Sequence, residues 1–384
     1  MTRWPLKKLG EVSDFINGRA FKPNEWSSDG VPIIRIQNLT NSNTRANYFA
    51  GKIDERHAVK NGDILISWSA TLDVFIWERG EAVLNQHIFR AVPNPSQVLR
   101  TYLFYALKLV MGELRSKTHG ATMQHITKEP FERTEIPVPP LAEQERIVKL
   151  LDAADELRKL RAQADRRAAD LIPALFHEMF GDPVTNPKGW PISRVGSLME
   201  SCDYGTSQKA NEADRGIVVL RMGNVTMDGQ LDLKDLKTVE LTDTEILKHQ
   251  LKQGDVLFNR TNSRELVGKT GMWDGRFKAV AASYFIRIRF QPNIEHPLHF
   301  TAFMNMTSMK RRLAEMARGA VGQANINAKE LQAIELPLPP IALQKDFAAR
   351  VAEIRAMEAA QAASREKLDE LFQSLLHRAF EGEI

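Results

Sequence analysis

The chain has 384 residues, 43% of them hydrophobic and 26% charged, with 52 Lys and Arg against 48 Asp and Glu. That balance suits a folded globular protein and excludes disordered, collagen-like and low-complexity classes. The length allows two or three domains, and the lone Cys202 excludes an internal disulfide or a zinc–thiolate cluster. No run approaches 18 consecutive apolar residues and no apolar signal core follows the first residues, so the expectation is a cytoplasmic chain without membrane contact.

Taken in chain order, residues 1–140 open on Trp4-Pro5-Leu6 and Gly10. Apolar runs at 31–36 and 63–67, bounded by Gly, Asn, Asp and Ser, read as strands, and one helical stretch stands near Leu99–Arg115. From Leu141 to about Phe180 there is no glycine and much Ala, Leu, Glu, Arg and Lys. A helix of some 40 residues, about 60 Å long, is expected, with Pro139 and Pro140 at its start and Pro173 placed to kink or stop it. Leu150, Ala154, Leu157, Arg161, Ala164, Ala168, Leu171 and Leu175 step alternately by four and three, which predicts a heptad seam. Residues 181–189 form a turn-rich linker.

The same series then repeats. Trp190-Pro191-Ile192, Gly196, Arg221, Asn224 and Thr226 follow their counterparts Trp4-Pro5-Leu6, Gly10, Arg35, Asn38 and Thr40 at an offset of 186. Gly254-Asp255-Val256-Leu257 follows Gly62-Asp63-Ile64-Leu65 at 192, and Leu336-Pro-Leu-Pro-Pro-Ile-Ala-Leu-Gln344 follows Ile136-Pro-Val-Pro-Pro-Leu-Ala-Glu-Gln144 at 200. Strands are expected at 217–222, 256–258 and 284–290, a helix near Pro297–Met316, and a second long helix from Ile341 to about Phe380. In that helix Ile354, Met357, Gln361, Ser364, Leu368, Leu371 and Leu375 keep the first seam's phase, so the two helices should zip together. The growing offset is what loop insertions in one copy of a duplicated domain produce.

Positive charge is confined to two segments. Residues 1–140 carry 18 basic against 14 acidic residues and 182–340 carry 21 against 18, while 141–181 and 341–381 are each slightly acidic. A polyanion would meet the globular segments, leaving the helices for protein contact. Groups for catalysis are missing: there is no Asp/Asn-Pro-Pro-aromatic signature, no G-x-G-x-x-G and no HExxH. Ser263-x-x-x-x-Gly268-Lys269-Thr270 lacks the first glycine of a phosphate loop, and the nine histidines show no metal-ligand spacing.

Two copies of Trp-Pro-x-x-x-Leu/Val-Gly, Arg-x-x-Asn, Gly-Asp-Ile/Val-Leu, Gly-Ala-x-x-Gln and Pro-x-Pro-Pro-x-x-x-Gln, in one order over essentially the whole chain, resemble the specificity subunit of type I restriction-modification enzymes (HsdS). The ending Ser374–Ile384 is also similar to that family's. The chain departs from the pattern at Leu343, where the first copy has Glu143. The resemblance implies an α+β protein: two similar mixed α/β target recognition domains, 1–140 and 182–340, separated by helical spacers 141–181 and 341–384 packed as an antiparallel coiled coil with pseudo-two-fold symmetry. It implies a non-catalytic subunit that reads a bipartite, asymmetric site on double-stranded DNA. Two methyltransferase subunits would dock on it, and motor-endonuclease subunits would join through the complex. The chain itself would carry no cofactor, with AdoMet, ATP and Mg on the partners.

Base reading needs paired donors and acceptors on loops. In the first domain the candidates are Arg19, Lys22, Arg35, Gln37, Asn38, Trp68, Ser69, Thr71, His87, Lys117, His119, Gln124 and His125. In the second they are Lys209, Arg221, Asn224, Arg260, Asn262, Arg264, Lys269, Tyr284, Arg318, Gln323, Asn325 and Asn327. Residues common to both halves, such as Asn38 and Asn224, suit fold architecture or phosphate contact, whereas positions that differ, such as Trp68 and Arg260, suit base discrimination. Glu143, Gln144, Gln344, Phe180 and Phe380 are the candidates for partner contact. Two other readings stay open: a coiled-coil scaffold binding proteins without reading DNA, and a self-sufficient modification or restriction enzyme.

Overall fold

In the first half the short apolar runs become two four-stranded sheets. The structure, a computed structural model, describes residues 3–41, 43–117, 127–211, 215–317 and 324–384. One sheet is antiparallel, in the order Ser13–Asn17, Ile88–Pro93, Ile64–Ser67, Asp73–Ile76. The other runs Asn47–Phe49, Val31–Ile34, Ala82–Leu84, Ala58–Val59 and contains one parallel pair, Val31–Ile34 with Ala82–Leu84. Ile64 and Ile66 enter the core built around the helix Arg100–Lys117, while Leu65 enters a second cluster with Ile34, Trp77 and Leu84. Burial on both faces is why this strand reads as a continuous apolar run without alternation.

The second half repeats the plan. Its antiparallel sheet is Met199–Tyr204, Phe285–Phe290, Val256–Asn259, Thr270–Met272, and its mixed sheet is Lys237–Val239, Ile217–Leu220, Ala279–Ala281, again with one parallel pair. The helical stretch near 297–316 is two helices, Pro297–Asn305 and Thr307–Met316, because Met306 is extended with ψ of 142°.

The second long helix, Ile341–Glu381, is unbroken over 41 residues. The first is interrupted: Leu141–Ala169 ends, Asp170 intervenes, and Leu171–Phe180 follows. Pro173 accounts for the break, since it has no N–H to offer and its ring crowds the carbonyl four residues back, that of Ala169.

By contacts the chain divides into residues 1–162 with 363–384, and residues 163–362, so each unit takes up part of both long helices. In the first unit Ile147 and Leu151 share a core with Leu376 and Phe380, and Arg158 Nε donates to Asp369 Oδ1 at 2.6 Å. Numbers rise along one helix as they fall along the other, so the pair is antiparallel. In the second unit Phe176 and Phe180 pack on Phe347 with ring centroids 5.7 and 5.2 Å apart.

The seam differs from the heptad expected from the leucines. Leu157 and Leu371 are 53% and 50% exposed, and Leu150, Leu171 and Met357 are exposed as well. Of the expected seam Ala168 is buried; the rest of the buried stripe is Ile147, Leu151 and Phe176 on the first helix and Phe347, Val351, Phe372 and Leu376 on the second. That stripe is broken in the middle by Arg158, which pairs with Asp369 and covers the Phe372 ring at 4.5 Å. A polar centre hid it behind the outer stripe's more regular spacing. Among the described residues no helix is long and apolar enough to cross a membrane.

Candidate nucleic-acid interface

The parallel strand pair positions the same edge in both units. In the first, Val31–Ile34 and Ala82–Leu84 run out side by side at Arg35 and Asn85, and Asn85 N–H donates to Ile34 O at 3.3 Å. Arg19 lies across this end, its N–H donating to Leu84 O at 3.1 Å. Gly18 is required for the crossing, because a Cβ there would stand 2.0 Å from Asn85 O. In the second unit the strands run out at Arg221 and Ala282, Ala282 N–H donates to Leu220 O at 3.0 Å, and Thr206 N–H donates to Ala281 O at 2.8 Å. Gly205 repeats Gly18, its Cβ position 2.2 Å from Ala281 O. Finally, Trp68 N–H reaches His87 O at 3.4 Å where Arg260 N–H reaches Tyr284 O at 2.9 Å.

The geometry therefore gathers Arg19, Arg35, Trp68 and His87 in one unit and Arg221, Arg260 and Tyr284 in the other. Their cations are held on aromatic faces: Arg19 over Phe21 at 3.9 Å, Arg35 over Trp26 at 4.6 Å, Arg260 over Tyr204 at 4.9 Å. Stacking fixes a guanidinium's plane before any ligand arrives, so less entropy is lost on binding a phosphate or a base edge. In the second unit a cavity of about 590 Å³ joins Lys209, Arg221 and Tyr284 with Lys234 and Lys237. Arg221 Nη2 is held there by Asp235 Oδ2 at 2.8 Å. Lys234 and Lys237 were not among the sequence candidates. They lie at the end of a stretch four residues longer than its first-half counterpart, and that length difference was the signal available.

Other candidates have structural duties. Asn38 is buried, accepting from Arg35 N–H at 3.0 Å and donating to Thr44 O at 3.1 Å. Asn224 repeats this, accepting from Arg221 N–H at 2.8 Å and donating to Asp232 O at 2.8 Å. Neither has an edge left for a base, as expected of positions common to both halves. Ser69 is buried, and Asn262 has both ends of its amide engaged, by Asn259 Oδ1 and Ser263 N–H. Asn327 caps the helix Ala328–Gln332 by accepting from Glu330 N–H at 3.0 Å. Lys22, Gln37, Thr71, Lys209 and Arg264 are exposed, Arg264 donating to Ala314 O at 3.2 Å, and Asn325 is half-buried opposite Thr261. Lys117 ends its helix, while His119, Gln124, His125, Arg318 and Gln323 lie outside the described residues.

Lys269 is buried and donates to Met222 O at 2.6 Å, so it is unavailable to DNA. Its neighbour Lys310 donates to Gly268 O at 2.6 Å, and burial together with the Lys269 charge lowers its pKa from 10.5 to about 7. Between those values the unfolded chain holds more protons than the folded one, so folding stability climbs as pH rises through this window. Lys310→Met is expected to stabilise the second unit by on the order of 2 kcal/mol at pH 7 and by much less at pH 9.5. Denaturant titrations at both pH values check this, and an equal effect at both would contradict it.

The partner-contact candidates also change. Gln144 is fully buried: its Oε1 accepts from Leu99 N–H at 2.8 Å and its Nε2 donates to Gln97 O and Pro139 O at 2.9 and 2.8 Å. Gln344 repeats this with His296 N–H, Ile294 O and Pro339 O. Phe180 and Phe380 are buried in their own cores. These four tie each domain to its helices and offer no surface to a partner. Glu143 stays accessible, paired with Arg146 at 3.0 Å.

The repetition of the two halves has a counterpart among known protein families. The family model for the type I restriction modification DNA specificity domain matches residues 1–165 and again 187–362. The chain belongs to this type I restriction-modification specificity family. Relatives include the EcoBI specificity subunit of Escherichia coli, 24% identical over 421 aligned residues that cover 99% of this chain and 86% of that protein. The EcoKI specificity subunit of Escherichia coli strain K12 is 25% identical over 425, covering 99% and 89%. A solved chain from a study of assembly and conformational transition of the type I R-M system superposes with a TM-score of 0.63 at 19% identity, covering 99% of this chain and 98% of that one. The S subunit from M. genitalium gives 0.53 at 14% identity, covering 99% and 96%. These likenesses establish the specificity-subunit fold, with one DNA specificity domain in each half.

Proposed function

We propose that this specificity subunit reads a bipartite, asymmetric double-stranded DNA site, one part per globular domain, and carries two copies of a methyltransferase subunit on its helices. The observation behind the reading is the twofold occurrence of one cationic edge built by the same strand crossing, with different side chains at the variable positions. Trp68 against Arg260 and His87 against Tyr284 give two readers of unlike chemistry on one scaffold, which suits an asymmetric site. Phosphate contacts by Lys and Arg set the register, and base edges are read by the differing residues.

Two copies of one partner fit the apolar residues left outside. In the first unit Leu6, Leu157 and Leu371 are exposed, and in the second their repeat equivalents Ile192, Met357 and Leu171 are exposed too. Outward apolar positions conserved through a duplication are what one partner, bound twice, would cover. Reactive chemistry belongs to the partners: AdoMet on the methyltransferase subunits, ATP and Mg on motor-endonuclease subunits, none on this chain.

Binding of the purified chain to a duplex, alone and with its methyltransferase subunit, tests this. With about six phosphates contacted, affinity is expected to fall on the order of 10³-fold between 50 and 200 mM salt. An affinity indifferent to salt would favour a protein-only scaffold, and methylation or cleavage by the chain alone would overturn the assignment.

A further inference from the structure

The two halves part company beside the strand Asp73–Ile76. In the first unit this strand, the helix Arg100–Lys117 and both long helices enclose an open cavity of about 900 Å³. The equivalent strand in the second unit is Thr270–Met272, since Val74 stands opposite Ile66 as Thr270 stands opposite Phe258. There the place is taken by the chain itself. Gly229, with φ of +81°, lies so close that a Cβ would fall 2.7 Å from Thr270 O and 2.4 Å from Asn305 Nδ2. Arg355 of the second long helix clasps the same loop, its guanidinium 3.3 Å from Asp228 O and 3.4 Å from Asp228 Oδ2. The loop reaches this far because it is four residues longer than its first-half counterpart.

Two hundred residues before Arg355 stands Asp155, and it lines the open cavity. The clasp has its charge reversed. The cavity wall carries six carboxylates, Asp73, Glu78, Glu113, Asp152, Asp155 and Glu156, against four Lys or Arg. Asp73 is met by Lys108 at 2.9 Å and Arg115 at 3.9 Å, Asp155 by Lys159 at 3.0 Å and Arg158 at 3.3 Å, and Asp152 accepts from the Tyr105 hydroxyl at 2.7 Å, while Glu78 and Glu156 have no ion pair among the described residues. Phe75 and Phe104 add half-buried apolar surface to the lining.

We propose that this cavity is a docking socket, open only in the first unit, for a lysine- or arginine-bearing segment of the bound methyltransferase subunit. The proposal rests on the functional reading above. The second unit shows how the socket works in miniature: a charged loop laid on the strand and clasped from the long helix, there supplied in cis with an acidic loop, here in trans with a basic one. The two partner copies, alike in their other contacts, then bind unequally, the copy on the first unit more tightly.

Native mass spectrometry of the chain titrated with methyltransferase subunit separates the two binding steps. Two variants probe the socket. Glu78→Lys with Glu156→Lys reverses exposed charges. Gly112→Trp fills the space, since a Cβ on Gly112 meets nothing within 4 Å and a helix interior tolerates the exchange better than it tolerates glycine. Both are expected to weaken the tighter step at least tenfold, leave the other step unchanged, and remove hydrogen-exchange protection of residues 73–76 in the complex. Two steps unaltered by both variants, without such protection in the parent complex, would overturn the socket while leaving the functional reading intact. A parent chain that takes up no methyltransferase subunit overturns that reading, and the socket with it.

Discussion

Replacing Gln144 by leucine is expected to cost the first unit about 3–5 kcal/mol of stability. The volume hardly changes, so the loss is electrostatic. Leu99 N–H, Gln97 O and Pro139 O would each lose a partner, around a side chain that is itself fully buried. An abandoned buried polar group costs roughly 1–3 kcal/mol, and here three are abandoned together. Gln144 stands in the first turn of the long helix and holds the start of the helix Arg100–Lys117, so the substitution also loosens the domain from its strut. Gln344→Leu should do the same to the second unit through His296 and Ile294. Urea unfolding followed by hydrogen exchange in each unit checks this. A loss under about 1 kcal/mol, or one spread equally over both units, would contradict the role given to this side chain.

Much of this architecture was legible in the sequence, for reasons that explain what was not. The duplication was legible because turn glycines, the Pro-Pro helix starts and Gly-Asp strand entries are fixed by backbone geometry and survive in both copies. The break before Pro173 followed from the ring's steric demand. The helix seam was misread because spacing alone does not say which of two stripes faces inward. The inner stripe is polar at its middle, where Arg158 needs Asp369 from 211 residues away. The repeated Gln144 and Gln344 looked like partner contacts because a repeated polar residue carries the same signature whether it serves the surface or the interior. Only the backbone groups around each, brought in from residues 97–99 and 294–296, reveal which. The cationic edge was half visible. Arg19, Arg35 and Tyr284, chosen by residue type, do lie at this edge, but Asn38 and Asn224 are braces, and Lys234 and Lys237 join only through a loop whose path the sequence does not encode locally.

The second large effect concerns recognition. All of the first cationic edge, from Arg19 to His87, is built from residues 1–140, and all of the second, from Lys209 to Tyr284, from residues 182–340. Exchanging residues 1–140 for those of another family member, with Gln144 and its helix retained, should therefore replace one reader and leave the other untouched. Each mismatched base pair costs about 1–3 kcal/mol, so a half-site of several pairs read by the wrong domain should lose specific binding altogether. The retained half should keep its sequence, since none of its contacts has changed. Methylation mapping of genomic DNA from cells carrying the exchanged chain with its methyltransferase subunit measures this directly. The result predicted is a site with one half preserved and one half new; a site altered in both halves, or in neither, would contradict two independent readers on one strut.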